Sequence, residues 1–325
     1  TSSTAAWEAL RAQLDNWAFT DAFALTVGNA SGPLFAYTKG GFTLRTRVET
    51  ASTSKWPLAL MMLGLVADNT IPSLDAPVAS YTPWWTQAKT DPKARVTMRH
   101  LLSFTSGFGD GAPGKENGTK TCMDSATASF LPCAKAVYRS TKLTGLPGRT
   151  YTYNSVHLQL AGAVAMTASS LTIQQLLSKY LFHPYDMHLT SCEMPSAANP
   201  QLAICLNTTA LDYEQFLLRT LRHDVLPKEL VDESERDATP FLSDYYTLYG
   251  NYGFGHFLEC FDSVDGFTDE CKAARVHADP GAFGFYPLID RRLGYYMQIV
   301  AYQTGRKDYP RSGIPEYLRL LAKPL

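Results

Sequence analysis

Apolar positions along the chain follow helical spacing in some stretches and strand-like alternation in others, and the two kinds are unevenly distributed. Trp7, Leu10, Leu14 and Trp17 recur at helical spacing and predict an amphipathic helix over residues 5–19. Residues 22–28 and 34–38 predict two strands joined by an Asn29-Ala30-Ser31-Gly32-Pro33 turn. Trp56 to Ala67 is apolar almost without a break and predicts a buried helix over 52–67, too short to cross a bilayer. From about 70 to 250 the pattern is mostly helical, with Pro/Gly-rich loops. Beyond 250, Phe283–Ile289 and Tyr295–Tyr302 predict a hairpin around Asp290–Gly294, and Ile314–Ala322 predicts a closing helix.

Matching segments at the two ends imply an α+β fold: one antiparallel sheet built from both ends of the chain and flanked by helices. The expected layout is a single domain over 1–325, with the sheet part at about 1–75 and 251–325 and a mostly helical insertion at about 76–250. A cleft between the two parts is where a ligand would bind.

Charge narrows the partners. A formal net charge of −1 without a Lys/Arg block disfavours nucleic acid and anionic membrane surfaces. The six cysteines fall as Cys122 and Cys133, Cys192 and Cys205, Cys260 and Cys271, with similar spacing and no C-x-x-C. Zinc is disfavoured and local disulfides are expected, although six cysteines allow fifteen connectivities. N-x-S/T sequons stand at Asn29, Asn117 and Asn207. Together with the cysteines they point to a secreted chain. The opening Thr1-Ser2-Ser3-Thr4 has no apolar signal core, as in a mature chain.

Candidate chemistry begins at Ser52-Thr53-Ser54-Lys55, at the head of the apolar run. Ser52 and Lys55, three apart, share a helix face. Apolar flanks favour the neutral amine, and a neutral amine beside a hydroxyl is a base beside a nucleophile. Alone, the tetrapeptide equally fits an N-cap. Other chemistries find no support: there is no G-x-S-x-G elbow, His183 and His188 flank Pro184 at the wrong spacing for a metal pair, and Asp262–Glu270 lacks an EF-hand pattern. The aromatic-rich run Tyr245–Phe257 reads as core and cleft wall.

Taken together with the segments beyond Lys55, the tetrapeptide resembles the S-x-x-K box of the serine β-lactamase and penicillin-binding-protein superfamily. The resemblance is closest to its class C-like branch, which includes family VIII carboxylesterases. Asn69–Val78 resembles the family's short turn with Leu-Asp-x-Pro-Val, and Val96–Gly107 its T-x-x-x-L-L-S-x-T-S-G signature. Pro147–Ser155 resembles P-G-x-x-aromatic-x-Y-x-x, ahead of a helix through Leu160-Ala161-Gly162. The continuous likeness runs from about 42 to 165, with a weaker stretch over 276–302. It implies Ser52 as nucleophile, Lys55 as its activating amine and Tyr153 as the phenol that relays a proton to the leaving group, with no cofactor or metal. A phenol does this only beside a cation, so Lys55 and Tyr153 must converge.

Two departures bear on substrate. The family usually has Asn two residues after the tyrosine; here Ser155 holds that slot and Asn154 precedes it. Its late strand usually carries Lys, His or Trp, then any residue, then Gly; this chain reads His277-Ala278-Asp279-Pro280-Gly281-Ala282. Matching His277 to the first slot puts Pro280, which has no N–H, where an oxyanion donor is needed. Placing Gly281 in the Gly slot restores a donor at Ala282, beside the Ser52 N–H, and leaves His277 at the cleft mouth. The expected function is a secreted serine hydrolase of small-molecule carboxylic esters. Alternatives with the same residues are a β-lactam or D-peptide hydrolase or an acyltransferase, or a binding protein on this fold without turnover.

Overall fold

The computed structural model describes residues 2–16, 21–109, 121–242, 251–259 and 269–303. The chain opens with α1 (Ser2–Asp15), β1 (Phe23–Asn29), β2 (Gly32–Lys39) and β3 (Val48–Glu49), then a single 3₁₀ turn (Ala51–Ser54). Next come α2 (Lys55–Ala67), α3 (Met98–Leu102), α4 (Phe130–Ser140), α5 (Val156–Ser169) and α6 (Ile173–Leu177). After these lie β4 (Ser191–Cys192), β5 (Leu206–Thr208), α7 (Ala210–Arg222) and α8 (Lys228–Ser234). The last part holds β6 (Asn251–Tyr252), β7 (Phe257–Leu258), α9 (Asp269–Ala274), β8 (Val276–Ala278), β9 (Phe285–Asp290) and β10 (Tyr295–Val300).

An antiparallel sheet runs β2-β1-β10-β9-β8-β7-β6, so strands from both ends of the chain meet in it as expected. The join is the β1–β10 ladder, from Ala24 opposite Val300 to Asn29 opposite Tyr295. Side chains alternate between the two faces. Phe23, Leu25, Val27, Met297 and Ile299 pack with Leu10 and Leu14 of α1, whereas Ala24, Phe285, Ile289, Tyr296 and Val300 join the helical side. Both faces being covered, β9 and β10 are buried at every position. The β1–β2 turn is tighter than the five residues expected: Gly32 already pairs with Asn29, and the Ser31 N–H donates to Asn29 Oδ1 at 2.7 Å.

α7 lies within the stretch expected as the helical insertion, yet it packs on β1, β9 and β10. Its buried Tyr213, Phe216 and Leu217 form a stripe that finds its partner on the sheet. α2 runs through the middle, against α5 on one side and α8 on the other, with Trp56 edge-on to Phe216 at 5.7 Å. That placement explains why it is apolar all round. A second sheet, β3-β5-β4, was not foreseen, because strands of two or three residues carry no readable alternation. No single helix among the described residues is long and apolar enough to cross a membrane.

Cys122–Cys133 and Cys192–Cys205 are disulfide-bonded, as the spacing suggested. Cys260 and the Cys271 side chain, the Asn117 sequon and the expected helix at Ile314–Ala322 lie outside the described residues. Of the other sequons, Asn29 ends β1 and Asn207 sits in β5, the middle strand of the small sheet.

One buried ion cluster ties the helices to the sheet. Glu235, just past α8, takes the Arg291 guanidinium on both oxygens at 2.6–3.0 Å and the Arg275 guanidinium at 3.1 Å. Arg291, in the β9–β10 turn, also donates to the Leu221 and Thr220 carbonyls at the end of α7. The Glu235 side chain is fully buried, so removing its main partner strands a charge. Arg291→Met is expected to lower unfolding free energy by about 3–5 kcal/mol, and adding Glu235→Gln to recover part of it. Denaturant titration of the three proteins measures both effects.

Candidate active site

Ser52 lies in the 3₁₀ turn and Lys55 is the first residue of α2. The pairing survives the change of helix type, because residues three apart eclipse in a 3₁₀ turn. Lys55 Nζ donates to Ser52 Oγ at 2.8 Å and to the Ala203 carbonyl at 3.0 Å, and stands 4.7 Å from the centre of the Tyr153 ring. The turn is fixed around them. Ala51, before the serine, takes a left-handed φ of 50°. Thr50 N–H donates to the Leu206 carbonyl at 2.9 Å, and Ser54 Oγ accepts from the Leu206 N–H at 3.0 Å. Lys55 is 2% exposed, and this burial pulls its amine down to about 8, with the Asp279 carboxylate pulling it up.

Tyr153 is brought to the amine by the Val96–Gly107 segment. Thr97 caps α3 in a capping box with His100, and the Thr105 N–H donates to the His100 carbonyl at 2.9 Å. Phe104, at a left-handed φ of 60°, accepts the Thr152 N–H on its carbonyl and sets its ring 5.7 Å from Tyr153. His157 stacks on Phe104 at 4.8 Å and is hydrogen-bonded to Ser106 Oγ. Tyr252 and Phe257, from the aromatic run read as cleft wall, meet Tyr153 at 6.2 and 5.8 Å. Tyr153 keeps 39% of its surface exposed, so the phenol borders solvent while its ring is held.

The late strand segment docks on the 3₁₀ turn that carries Ser52, at Gly281. A Cβ on Gly281 would lie 2.1 Å from the Thr50 carbonyl oxygen and 2.5 Å from Thr53 Oγ1. Ala282, next to it, is exposed, and its N–H has no acceptor among the described residues. In the register that gives the Gly slot to Gly281, that slot is the point of closest approach to the turn. Asp279 then occupies the first slot. Its Oδ2 accepts the Trp56 N–H at 3.0 Å and its carbonyl accepts Thr53 Oγ1 at 2.8 Å.

His277 is a correction. It is fully buried rather than at a cleft mouth, with Nδ1 3.2 Å from His256 Nε2 and Nε2 3.4 Å from Glu235. The physical reason is its place in β8, paired with Leu258 on one side and Ile289 on the other. Asn154 is also committed elsewhere: its Nδ2 donates to the Phe108 and Gly109 carbonyls and its Oδ1 accepts the Val156 N–H at the start of α5. Ser155, at the N-cap of α5, makes no side-chain cap bond.

Two contributors escaped the sequence reading. The Ala203 carbonyl gave no signal, since any residue supplies one, although the Cys192–Cys205 bridge beside it marked a closed loop. Asp279 was visible as the residue two before Gly281, and only its burial against α2 gives it meaning.

The family model described as Beta-lactamase matches residues 22–295. A Bacteroides dorei DSM 17855 protein, whose structure carries a provisional beta-lactamase assignment, is 24% identical with a TM-score of 0.78, covering 98% of both chains. EstCE1, described as a hydrolase with promiscuous acyltransferase activity, is 15% identical with a TM-score of 0.73, covering 92% of this chain and 93% of its own. A D-stereospecific amidohydrolase from a Streptomyces species is 18% identical with a TM-score of 0.65, covering 92% of this chain and 94% of its own. No curated protein matches the chain.

Gly281→Ala must push the late strand off the 3₁₀ turn, because both atoms its Cβ would meet are held by backbone or buried. A displacement of this kind is expected to slow fluorophosphonate labelling of Ser52 by about 100-fold. Intact-mass labelling rates of native and variant protein measure it, with a thermal melt to separate loss of geometry from loss of fold.

Proposed function

The chain belongs to the beta-lactamase family of serine hydrolases, and on that footing we propose that it is a secreted enzyme that hydrolyses carboxylic esters through an acyl-enzyme on Ser52. The observation that carries this reading is the 2.8 Å contact between Lys55 Nζ and Ser52 Oγ, made by an amine that burial brings down to about 8. An amine so placed takes the serine proton at mildly alkaline pH without any third group.

Ser52 Oγ attacks the carbonyl carbon of the ester while Lys55 accepts its proton. The carbonyl electrons move to oxygen, which the Ser52 and Ala282 N–H groups receive. As the C–O bond to the leaving alcohol breaks and the carbonyl re-forms, Tyr153, beside Lys55, passes its proton to the departing alkoxide and takes in turn the proton that Lys55 received from Ser52, so that both groups return to their starting states. Water then repeats the sequence on the acyl-enzyme and releases the acid. Esters are favoured over lactams and amides because the slot two residues after Tyr153 that would recognise an amide holds a serine, and Asn154 is spent on holding α5. The two disulfides fit an oxidising compartment and support secretion.

Ser52→Ala is expected to abolish fluorophosphonate labelling, and Lys55→Ala to slow ester turnover by about 10²–10⁴-fold. An adduct that survives Ser52→Ala rules out this serine, and a native chain that never labels rules out the hydrolase. Nitrophenyl esters assayed beside a chromogenic cephalosporin and D-amino-acid amides sort the substrate class, with the esters expected to turn over fastest.

The pH dependence has a definite sign. Lys55 must be unprotonated to act, and its proton leaves at about pH 8, so kcat/KM rises with pH and is half-maximal near there. A pH–rate profile on an ester with a non-titrating leaving group measures the midpoint.

A further inference from the structure

His157 is fully buried in the first turn of α5, and no step of the ester cleavage uses it. Its Nε2 lies 2.8 Å from the Thr152 carbonyl oxygen and its Nδ1 2.9 Å from Ser106 Oγ. A carbonyl only accepts, so Nε2 carries the proton. Burial takes the imidazole down to about 4, against the pull of the Thr152 bond, so the ring is neutral and Nδ1 accepts the Ser106 hydroxyl proton. Ser106 Oγ in turn accepts the Phe108 N–H at 3.4 Å. These bonds form a wire with one direction, from the Phe108 N–H through Ser106 and His157 to the Thr152 carbonyl. A neutral imidazole, which accepts on one edge and donates on the other, completes it.

The carbonyl at the end of the wire belongs to the peptide group between Thr152 and Tyr153. On its other side Thr152 is held as well, its N–H donating to the Phe104 carbonyl at 3.0 Å. The Phe104 ring meets both partners, His157 stacked at 4.8 Å and Tyr153 at 5.7 Å. Tyr153 is 39% exposed, so enclosure does not aim its phenol, and the direction in which its backbone leaves Thr152 must. We propose that His157 is a positioning residue for Tyr153: its Nε2–H, anchored through Ser106 on the opposite edge of the ring, orients the Thr152–Tyr153 peptide so that the phenol meets the leaving group. The inference rests on Tyr153 passing its proton to the leaving alcohol, and it names what aims that proton. Loss of the bond turns the peptide and misdirects the phenol, while Ser52 and Lys55 keep their contact on a different part of the chain.

A nitrophenolate departs without help, whereas an ethoxide needs the phenol's proton. The test compares kcat/KM, which reports acylation alone, for the nitrophenyl and ethyl esters of one acid. His157→Asn can still accept from Ser106 but is too short to donate to Thr152; His157→Gln carries an amide N–H as many bonds from Cβ as Nε2. In His157→Asn the ethyl ester is expected to lose about 100-fold and the nitrophenyl ester less than about threefold, with His157→Gln recovering most of the ethyl-ester loss. A merely structural role would slow both esters by the same factor. Parallel losses, no loss on either ester, or a Gln variant no better than the Asn variant overturns the proposal. Ser106→Ala keeps the ring but removes its anchor; it is expected to show a smaller loss with the same selectivity, and it carries the test if His157→Asn does not fold. The nitrogen-15 spectrum of the native protein, with the His157 signals identified by their absence in His157→Gln, must show the neutral Nε2–H form at neutral pH; the Nδ1–H form or an imidazolium overturns the proposal. A native chain that turns over neither ester removes the hydrolase reading and this proposal with it, whereas parallel losses in an active enzyme remove this proposal alone.

Discussion

A helix that begins inside a protein must find acceptors there for its first N–H groups. α2 begins inside, and Ser54 at its N-cap offers no side-chain bond. The acceptor comes from Asp279, far along the chain, and that demand holds the molecule together at its centre. Thr53 stitches the same turn to the Asp279 and Phe285 carbonyls, Tyr213 donates to the Thr53 carbonyl, and Leu206 closes the turn from the small sheet. Sheet, α7 and β5 thus converge on one short turn. Ser52 and Lys55 inherit their rigidity from that convergence.

The aromatic side of the site is held by shape rather than by charge. Phe104 and Ala51 both adopt left-handed backbone conformations that cost such residues about 1–3 kcal/mol each. One precedes the serine and the other carries the ring against which Tyr153 rests. Gly107 closes the same segment: a Cβ there would lie 2.3 Å from the Gly145 carbonyl, so the loop bearing Tyr153 can approach only a glycine. The Ser-Gly end of the Val96–Gly107 signature is therefore a packing requirement whose purpose is to place a phenol.

What was legible in the sequence was whatever a local pattern encodes. The apolar run of α2, the β-rich runs of β9 and β10 and the i,i+3 spacing of Ser52 and Lys55 each lie within a short stretch of chain. β6, β7 and β8 were not legible, because two or three residues hold no period. His277 was misplaced for a related reason: burial in a middle strand is decided by neighbours on both sides, Leu258 and Ile289, and neither is local. Asp279 and the Ala203 carbonyl belong to the same class. Each reaches the first turn of α2 from far along the chain, Ala203 at Lys55 and Asp279 at Trp56, through a docking that no spacing rule describes.

The β1–β10 ladder carries one further consequence, for the order in which the molecule comes into being. Ala24 cannot meet Val300 until nearly the whole described chain exists, and closing so long a loop is slow before any contact rewards it. During synthesis from the N-terminus, β1 and β2 wait without their neighbour, and α2 waits without the acceptor at its head. A nascent chain already carries the serine and the lysine in full, three residues apart, yet it has no reactive centre. Competence arrives with the final strands, as a property of the finished topology rather than of the segment in which the reactive residues are written.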